Sequence, residues 1–95
     1  MLRYPPLKPK ISEGIIHSIN PRRGVVAVQT ADGNFSVFEL LGDDPVDLGD
    51  KVFWFQATSL GTTLLTNITQ QRIFEVYFQN HEVPESQLKK QLLID

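Results

Sequence analysis

Short runs of β-prone residues fill the first two thirds of the chain and are separated by turn-forming residues. Residues 24–30 read GVVAVQT, and residues 35–38 read FSVF after the tetrapeptide Ala-Asp-Gly-Asn at 31–34. Valine and phenylalanine favour strands, and Asp-Gly is a strong signal for a tight turn between two strands. These residues predict a β-hairpin. On the first strand, Val26 and Val28 are predicted to face the core, and Val25, Ala27 and Gln29 are predicted to face outwards. A register slip of one residue would invert this assignment.

Three further strands are predicted around this hairpin. Residues 11–19 supply isoleucines to a first strand, which ends where Asn20-Pro21-Arg22-Arg23-Gly24 interrupts pairing. Residues 51–58 form the most apolar strand, and residues 63–68 are predicted to pair with it. Between the hairpin and these last two strands, residues 41–50 (LGDDPVDLGD) have the composition of a long loop.

The pattern changes after Thr69 and becomes ambiguous. Residues 72–80 (RIFEVYFQN) are rich in strand-forming residues, which favours a strand, although Phe74 and Phe78 also lie at helical spacing. Pro84 suits the first turn of a helix over residues 85–94, where leucines form one apolar stripe. So short a helix is marginal alone, and we expect it to dock on the barrel or on a second chain.

Five short antiparallel strands predict a mainly β fold, a small closed barrel of the OB type, because closure removes exposed strand edges. Three segments follow. Residues 1–10 contain three prolines and predict an extended N-terminal arm. Residues 11–69 form the barrel, and residues 70–95 form a C-terminal extension that packs on the barrel or on a partner and ends in the short helix.

Residues 13–69 resemble the cold-shock domain family. The residues that carry the resemblance are Gly14-Ile15-Ile16 to Asn20 in the first strand, Arg23-Gly24 where the family has Lys-Gly, Asp32-Gly33 in the hairpin turn, Gly49-Asp50-Lys51-Val52 at the start of the fourth strand and Asn67-Ile68 at the end of the fifth. The resemblance implies a five-stranded OB barrel. It also implies binding of single-stranded RNA or DNA through exposed aromatic side chains.

The residues that would bind nucleobases in that family are replaced here. Val25 and Ala27 stand where two aromatic side chains of the first RNA-binding motif are expected, Val37 and Glu39 fall in the second motif, and Ser18 replaces an exposed tryptophan. Base stacking on an aromatic side chain contributes about 1–3 kcal/mol per base. The chain is therefore expected to lack cold-shock-type binding on this face.

Charge is unevenly distributed along the sequence. Five basic residues fall within residues 1–24 against one acidic residue, whereas residues 31–50 hold six acidic residues and no basic one. If these segments lay at different sides of the barrel, the molecule would be a dipole that attracts polyanions at one end. The basic residues that are candidates for nucleic-acid binding are Lys8, Lys10, Arg22 and Arg23. Two solvated arginines at a turn remain the simpler interpretation.

Surplus apolar side chains suggest a protein interface. Phe53 and Phe55 are predicted on the strand face opposite Val52 and Trp54, where Phe74, Tyr77 and Phe78 of the extension are expected to cover them. A dimer contact is the next alternative, followed by base stacking. The interface candidates are Phe53, Phe55, Phe74, Phe78, Leu88 and Leu92.

Metal, cofactor and catalytic sites are not predicted. His17 and His81 have no second ligand at metal spacing, and Asp43, Asp44, Asp47 and Asp50 lack the pattern of a calcium-binding loop. No nucleophile elbow or phosphate-binding loop is present, and no histidine has an evident nucleophile nearby in sequence. We therefore expect no metal, no cofactor and no enzymatic activity.

Two functions remain after these exclusions. The first is a small binding module that contacts another protein or a second copy of itself. The second is weak, sequence-tolerant binding of single-stranded nucleic acid. The absence of cysteine and of a signal-peptide or membrane-length apolar run favours a soluble cytoplasmic protein.

Overall fold

The computed structural model describes residues 11–55 and 59–92. It contains six strands followed by a short helical segment. In chain order these are β1 (Ile11–Asn20), β2 (Val25–Thr30), β3 (Phe35–Leu40), β4 (Lys51–Phe55), β5 (Gly61–Asn67), β6 (Arg72–Val83), a 3-10 turn (Glu85–Gln87) and α1 (Leu88–Gln91). No helix in this part of the chain is long and apolar enough to span a membrane.

The strands close into a barrel in the order β1-β2-β3-β6-β5-β4, and every neighbouring pair is antiparallel. The prediction of a mainly β, OB-like barrel that ends in a short helix is confirmed. The predicted number of five strands is wrong, because β6 is inserted between β5 and β3.

Strand β6 settles the ambiguity of residues 72–80 in favour of a strand. Phe74, Val76 and Phe78 recur at every second position and are buried, whereas Ile73, Glu75 and Tyr77 between them are exposed. This period of two is that of a strand with one face on a core. The barrel therefore extends through Val83, into the stretch that the sequence assigns to a C-terminal extension.

Strand β1 holds the barrel closed by pairing with two neighbours. Its first half, Ile11 to Ile15, pairs with β4, and residues from Gly14 to Asn20 pair with β2. Gly14 lies where the two ladders overlap. A Cβ atom there would overlap the Gln29 carbonyl oxygen and come within 2.6 Å of Val28 Cγ1, so only glycine fits.

The barrel interior and the outside of the hairpin each carry an apolar cluster. The first cluster consists of Ile16, Val26, Val28, Phe38, Val52, Trp54, Leu65, Phe74, Val76 and Phe78. The second consists of Val25, Ala27, Phe35, Val37, Val83, Leu88 and Leu92. The inward positions of Val26 and Val28 and the exposure of Gln29 agree with the predicted faces. Val25 and Ala27 are on the other face but are not exposed, because the second cluster buries them.

The β1–β2 and β3–β4 connections lie at the same end of the barrel. The Leu40 backbone N–H donates a hydrogen bond of 2.8 Å to the Gly24 carbonyl oxygen. The acidic loop that follows Leu40 therefore begins beside the turn that carries Arg22 and Arg23, so these charges do not lie at different sides of the barrel. The other three basic residues of residues 1–24 lie outside the described residues.

Candidate interaction surfaces

The outward face of β2 and β3 is covered by the C-terminal segment. Residues 85–92, here called the C-terminal cover, place Leu88 and Leu92 over Val25, Ala27 and Val37. Ala27 and Val37 have no exposed surface. This is the face on which the resemblance to cold-shock domains implies base stacking. A base would have to displace the cover to reach these strands.

Asn20 fastens the end of the cover to the β1–β2 turn. Its Nδ2 atom donates a hydrogen bond of 2.7 Å to the Leu92 carbonyl oxygen, and its Oδ1 atom accepts one of 3.2 Å from the Arg22 backbone N–H. One buried amide thus satisfies a carbonyl at the end of α1 and shapes the turn, which ends at Gly24 with a φ of 66°. Asparagine suits both tasks because its side chain carries a donor and an acceptor.

A second apolar surface, formed by the other four strands of the barrel, is not covered by any segment among residues 11–55 and 59–92. The outward positions of β1, β4, β5 and β6 form a continuous array, because Ile11 pairs with Phe55, Phe53 with Thr66, and Thr66 with Ile73. We call this array the open face, and its apolar members are Ile11, Ile15, Phe53, Phe55, Leu64, Ile68, Ile73 and Tyr77.

Large side chains of the open face are well exposed. Ile73 is 69% exposed, Leu64 58% and Phe55 46%, and Phe53 beside it is half-buried. The rings of Phe53 and Phe55 pack edge to face with centroids 6.0 Å apart. Scattered exposed apolar residues are ordinary, but a contiguous group of them marks an interaction surface.

The interface candidates from the sequence divide between the core and this face. Phe74 and Phe78 fill the barrel interior, and Leu88 and Leu92 are buried against the hairpin, so these four are not available to a partner. The expectation that Phe74, Tyr77 and Phe78 cover Phe53 and Phe55 is wrong. Phe74 and Phe78 face inwards, Tyr77 pairs with Thr62 on the outside, and Phe55 stays exposed.

The basic candidates Arg22 and Arg23 lie beside the end of the C-terminal cover that Asn20 fastens. Arg22 and Arg23 are exposed in the β1–β2 turn. Lys89 and Lys90, which the sequence interpretation did not single out, are exposed on α1, and the bond from Asn20 to Leu92 joins α1 to that turn. We call these four residues the basic corner. Lys8 and Lys10 lie outside the described residues.

His81 holds a bulge of β6 against two neighbouring segments. Two residues of β6, His81 and Glu82, face Ser36 alone on β3, and Glu82 has a φ of 54°. His81 Nε2 donates to the Ser59 carbonyl oxygen at 2.8 Å, which leaves Nδ1 to accept from the Ser36 hydroxyl at 2.8 Å. The ring also stacks on Phe78 at a centroid distance of 4.9 Å.

This pairing of His81 with Ser36 is a contact that the sequence interpretation did not anticipate. Ser36 is buried, and both residues border a groove of 370 Å³ that is also lined by Glu13, Asp32 and Glu82. His17, by contrast, is an exposed bulge residue of β1 whose ring contacts Phe35 edge on. Within residues 11–55 and 59–92, no three His, Cys, Asp or Glu side chains are grouped to hold a metal ion.

Asp50 is the acidic residue with the clearest structural task. Its Oδ2 atom accepts hydrogen bonds from the Asn67 amide at 2.9 Å, the Asp47 backbone N–H at 2.9 Å and the Gln70 amide at 2.7 Å. Burial by itself raises the pKa of the Asp50 carboxyl, but these three donors outweigh burial and hold its pKa below the ordinary value of 3.8. Asp50 thereby ties the acidic loop to the β5–β6 turn.

The described surface thus offers an open apolar face, a basic corner and a groove lined by carboxylates. Both the open face and the covered face of the hairpin carry apolar side chains, and they differ in that Leu88 and Leu92 cover the hairpin face. Comparison of the chain with protein-family models, curated proteins and solved structures found no match.

Proposed function

We propose that this protein is a non-enzymatic binding module that contacts another protein chain through the open face. The observation that carries the proposal is the contiguity of exposed Ile, Leu and Phe side chains across four neighbouring strands. Such a surface favours a partner because association removes apolar area from water, at about 25 cal/mol per Å².

The arrangement of polar residues around the open face also supports protein contact. Glu13 pairs with Phe53 on the β1 side, Lys51 pairs with Ile15 at one end, and Glu75 pairs with Leu64 on the β6 side. An apolar centre with a charged rim is the usual anatomy of protein–protein interfaces, in which the centre is desolvated and the rim stays in contact with water.

A photo-crosslinking residue placed at Ile73 tests this function. With p-benzoylphenylalanine at this highly exposed position, we expect irradiation of cells that express the full chain to yield covalent adducts with one protein. Mass spectrometry identifies that protein, which can be another copy of the chain. We expect specific adducts because Ile73 would lie within the contact and be held against its partner.

The matched control carries the same photo-reactive residue at Glu85. Glu85 is exposed in the C-terminal cover, which lies on β2 and β3 and not on the open face. We expect it to give background adducts only. Equal adduct patterns from the two positions, or no specific adduct at Ile73, would show that the open face does not contact a protein.

A second function, binding of single-stranded nucleic acid, is supported by the basic corner. Asn20 brings the exposed Lys89 and Lys90 of α1 to the turn that bears Arg22 and Arg23. Four cations near one another suit contact with successive phosphates. The acidic loop that starts beside Gly24 opposes this attraction, which is why protein contact is the first proposal.

Fluorescence anisotropy of a labelled single-stranded oligonucleotide tests the second function. We expect weak binding at low ionic strength that falls steeply with salt, because phosphate contacts release counterions. Arg22→Ala with Arg23→Ala, and separately Lys89→Ala with Lys90→Ala, should each reduce the affinity. The pair Arg72→Ala and Lys51→Ala, at other exposed positions, is the control. Absence of binding at low salt would exclude this function.

A further inference from the structure

We infer that the free edge of β1 at residues 11–13 binds an extended, basic segment of a partner protein by strand addition. This site is separate from the contact proposed for the open face, because it uses backbone groups of β1 and two grooves beside them. It exists because β2 stops pairing with β1 before β4 does.

Residues 11–13 have a partner strand on one side only. β1 pairs with β4 from Ile11 to Ile15, but its pairing with β2 starts at Gly14, where β2 ends at Thr30 and the hairpin turn follows. Apart from the ladder with β4, no backbone hydrogen bond joins residues 11–13 to any other residue of 11–55 and 59–92. The side of β1 that faces the hairpin turn is therefore an unpaired strand edge.

The alternation of the β1 backbone directs two of these residues towards the free side. The Ile16 N–H donates to the Asp50 carbonyl oxygen at 2.9 Å, and the Ile16 carbonyl oxygen accepts from the Gly49 N–H at 2.8 Å, so both groups of Ile16 point to the β4 side. Residues an odd number of positions away point to the opposite side. The backbone groups of Glu13 and Ile11 therefore point away from β4. Both residues are exposed, and such an edge is a template for another strand.

The groove beside this edge favours a basic partner. It has a volume of 370 Å³ and lies among residues 11–13 of β1, the hairpin turn and the end of β6. Its charged lining residues are Glu13, Asp32 and Glu82, all of them exposed, and no lysine or arginine among the described residues lines it. Carboxylates form charge-assisted hydrogen bonds with lysine and arginine side chains. We call this groove the acidic groove.

A second groove completes a place for an extended segment. It has a volume of 490 Å³, and Glu13 and Thr30 line it as well as the acidic groove, so the two grooves adjoin the same stretch of backbone. Ile15 and Ile68 give it apolar surface, and Lys51 disfavours a basic side chain there. Alternate side chains of an added strand point to its two faces. Main-chain bonds to the edge then supply affinity, while the grooves select alternating basic and apolar side chains.

NMR titration of the isotope-labelled full chain with a synthetic peptide tests this site. The probe is a short, acetylated and amidated peptide in which lysine and valine alternate. We expect saturable binding at physiological ionic strength. Hydrogen exchange of the Glu13 amide should become about tenfold slower or more at saturation, because its N–H gains an acceptor in the complex.

Two further peptides separate strand addition from charge attraction. The first has the same side chains but carries a methyl group on every backbone nitrogen, so it keeps its charge and has no backbone donor. It should bind about tenfold more weakly, or not at all. The second replaces every lysine by glutamate and should not bind, because its carboxylates would meet those of the acidic groove.

Variants of the protein test the acidic groove itself. Glu13→Gln combined with Glu82→Gln should weaken binding of the lysine peptide about tenfold, because two carboxylates of the groove lose their charge. Asp43→Asn combined with Glu85→Gln is the matched control, since it makes the same change of charge at exposed positions that line neither groove. The control should keep the affinity within about twofold of wild type.

Three results would overturn this site. The first is no binding of the lysine peptide. The second is equal binding of the methylated peptide with unchanged exchange at Glu13, which would mean charge attraction alone. The third is slow exchange of the Glu13 amide in the free protein, which would mean that the edge is already paired. Crosslinking at Ile73 reports on the open face, so none of these results decides the proposed function.

Discussion

Replacing Gly14 by alanine is expected to lower the free energy of unfolding by about 3 kcal/mol or more, or to leave no folded protein. The new methyl group would overlap the Gln29 carbonyl oxygen and come within 2.6 Å of Val28 Cγ1. Real Cβ atoms do not approach other atoms this closely. The substitution therefore forces β1 away from β2.

The backbone around Gly14 has little freedom to relieve this clash. Gly14 pairs with Thr30 on one side and with Val52 on the other, so β1 is held in two ladders at the same residue. Moving it away from β2 strains its pairing with β4. Since β1 joins these two strands and closes the barrel, the damage reaches the whole core rather than one edge.

Chemical denaturation followed by tryptophan fluorescence measures this loss, because Trp54 is in the core. Gly42→Ala is the matched control. Gly42 is in a loop, and its added Cβ would meet only Asp44 Oδ2 at an ordinary 3.5 Å. We expect the control to stay within about 0.5 kcal/mol of wild type. Similar stabilities of the two variants would show that β1 accommodates a side chain at position 14.

The local sequence pattern predicts most strands of the barrel but not the strand that closes it. The hairpin of β2 and β3 follows from valine-rich alternation around Asp32-Gly33, and it forms as predicted. The sixth strand is harder to foresee, because residues 72–80 carry strand-forming residues at spacings that also fit a helix. Whether they form a strand depends on their partners, of which β5 directly precedes them and β3 lies far away in the sequence.

The interaction surfaces depended even more on distant contacts. Strand propensity identifies Phe53, Phe55, Phe74 and Phe78 as apolar but does not say which of them face the core. Trp54 and Phe78 pack together inside with ring centroids 4.8 Å apart, which leaves Phe53 and Phe55 to the outer side of β4. The C-terminal cover is similarly non-local, because it is fastened by a bond between residues 72 positions apart.

Replacing Asp50 by alanine is expected to destabilise the protein by about 3 kcal/mol, because it removes one acceptor shared by three donors. Asn67 is completely buried, and without Asp50 its Nδ2 atom is left with the longer bond of 3.3 Å to the Pro45 carbonyl oxygen. The Gln70 amide and the Asp47 backbone N–H lose their bonds to Asp50 as well. The acidic loop would then be released from the end of the barrel.

The stabilisation that Asp50 provides should also decrease as the pH falls into the acidic range. Because hydrogen bonding holds its folded-state pKa below 3.8, the folded protein binds fewer protons than the unfolded chain in the acidic range. The stabilisation is therefore complete above the ordinary carboxyl pKa and is lost as pH falls through the lower folded-state value. Urea titrations of wild type and Asp50→Ala should differ by a constant amount near neutral pH and by a smaller amount in acid.

Two further variants test whether the stabilisation depends on the charge of Asp50 and on its place in the loop. Asp50→Asn keeps an oxygen that can accept the same donors, so it should lose less stability than Asp50→Ala and should not show that group's acid dependence. Asp43→Ala removes an exposed carboxylate from the same loop and should change the stability by no more than about 0.5 kcal/mol. If Asp43→Ala and Asp50→Ala were equally stable, the three hydrogen bonds would contribute nothing, and the loop would be held by its apolar contact through Val46 instead.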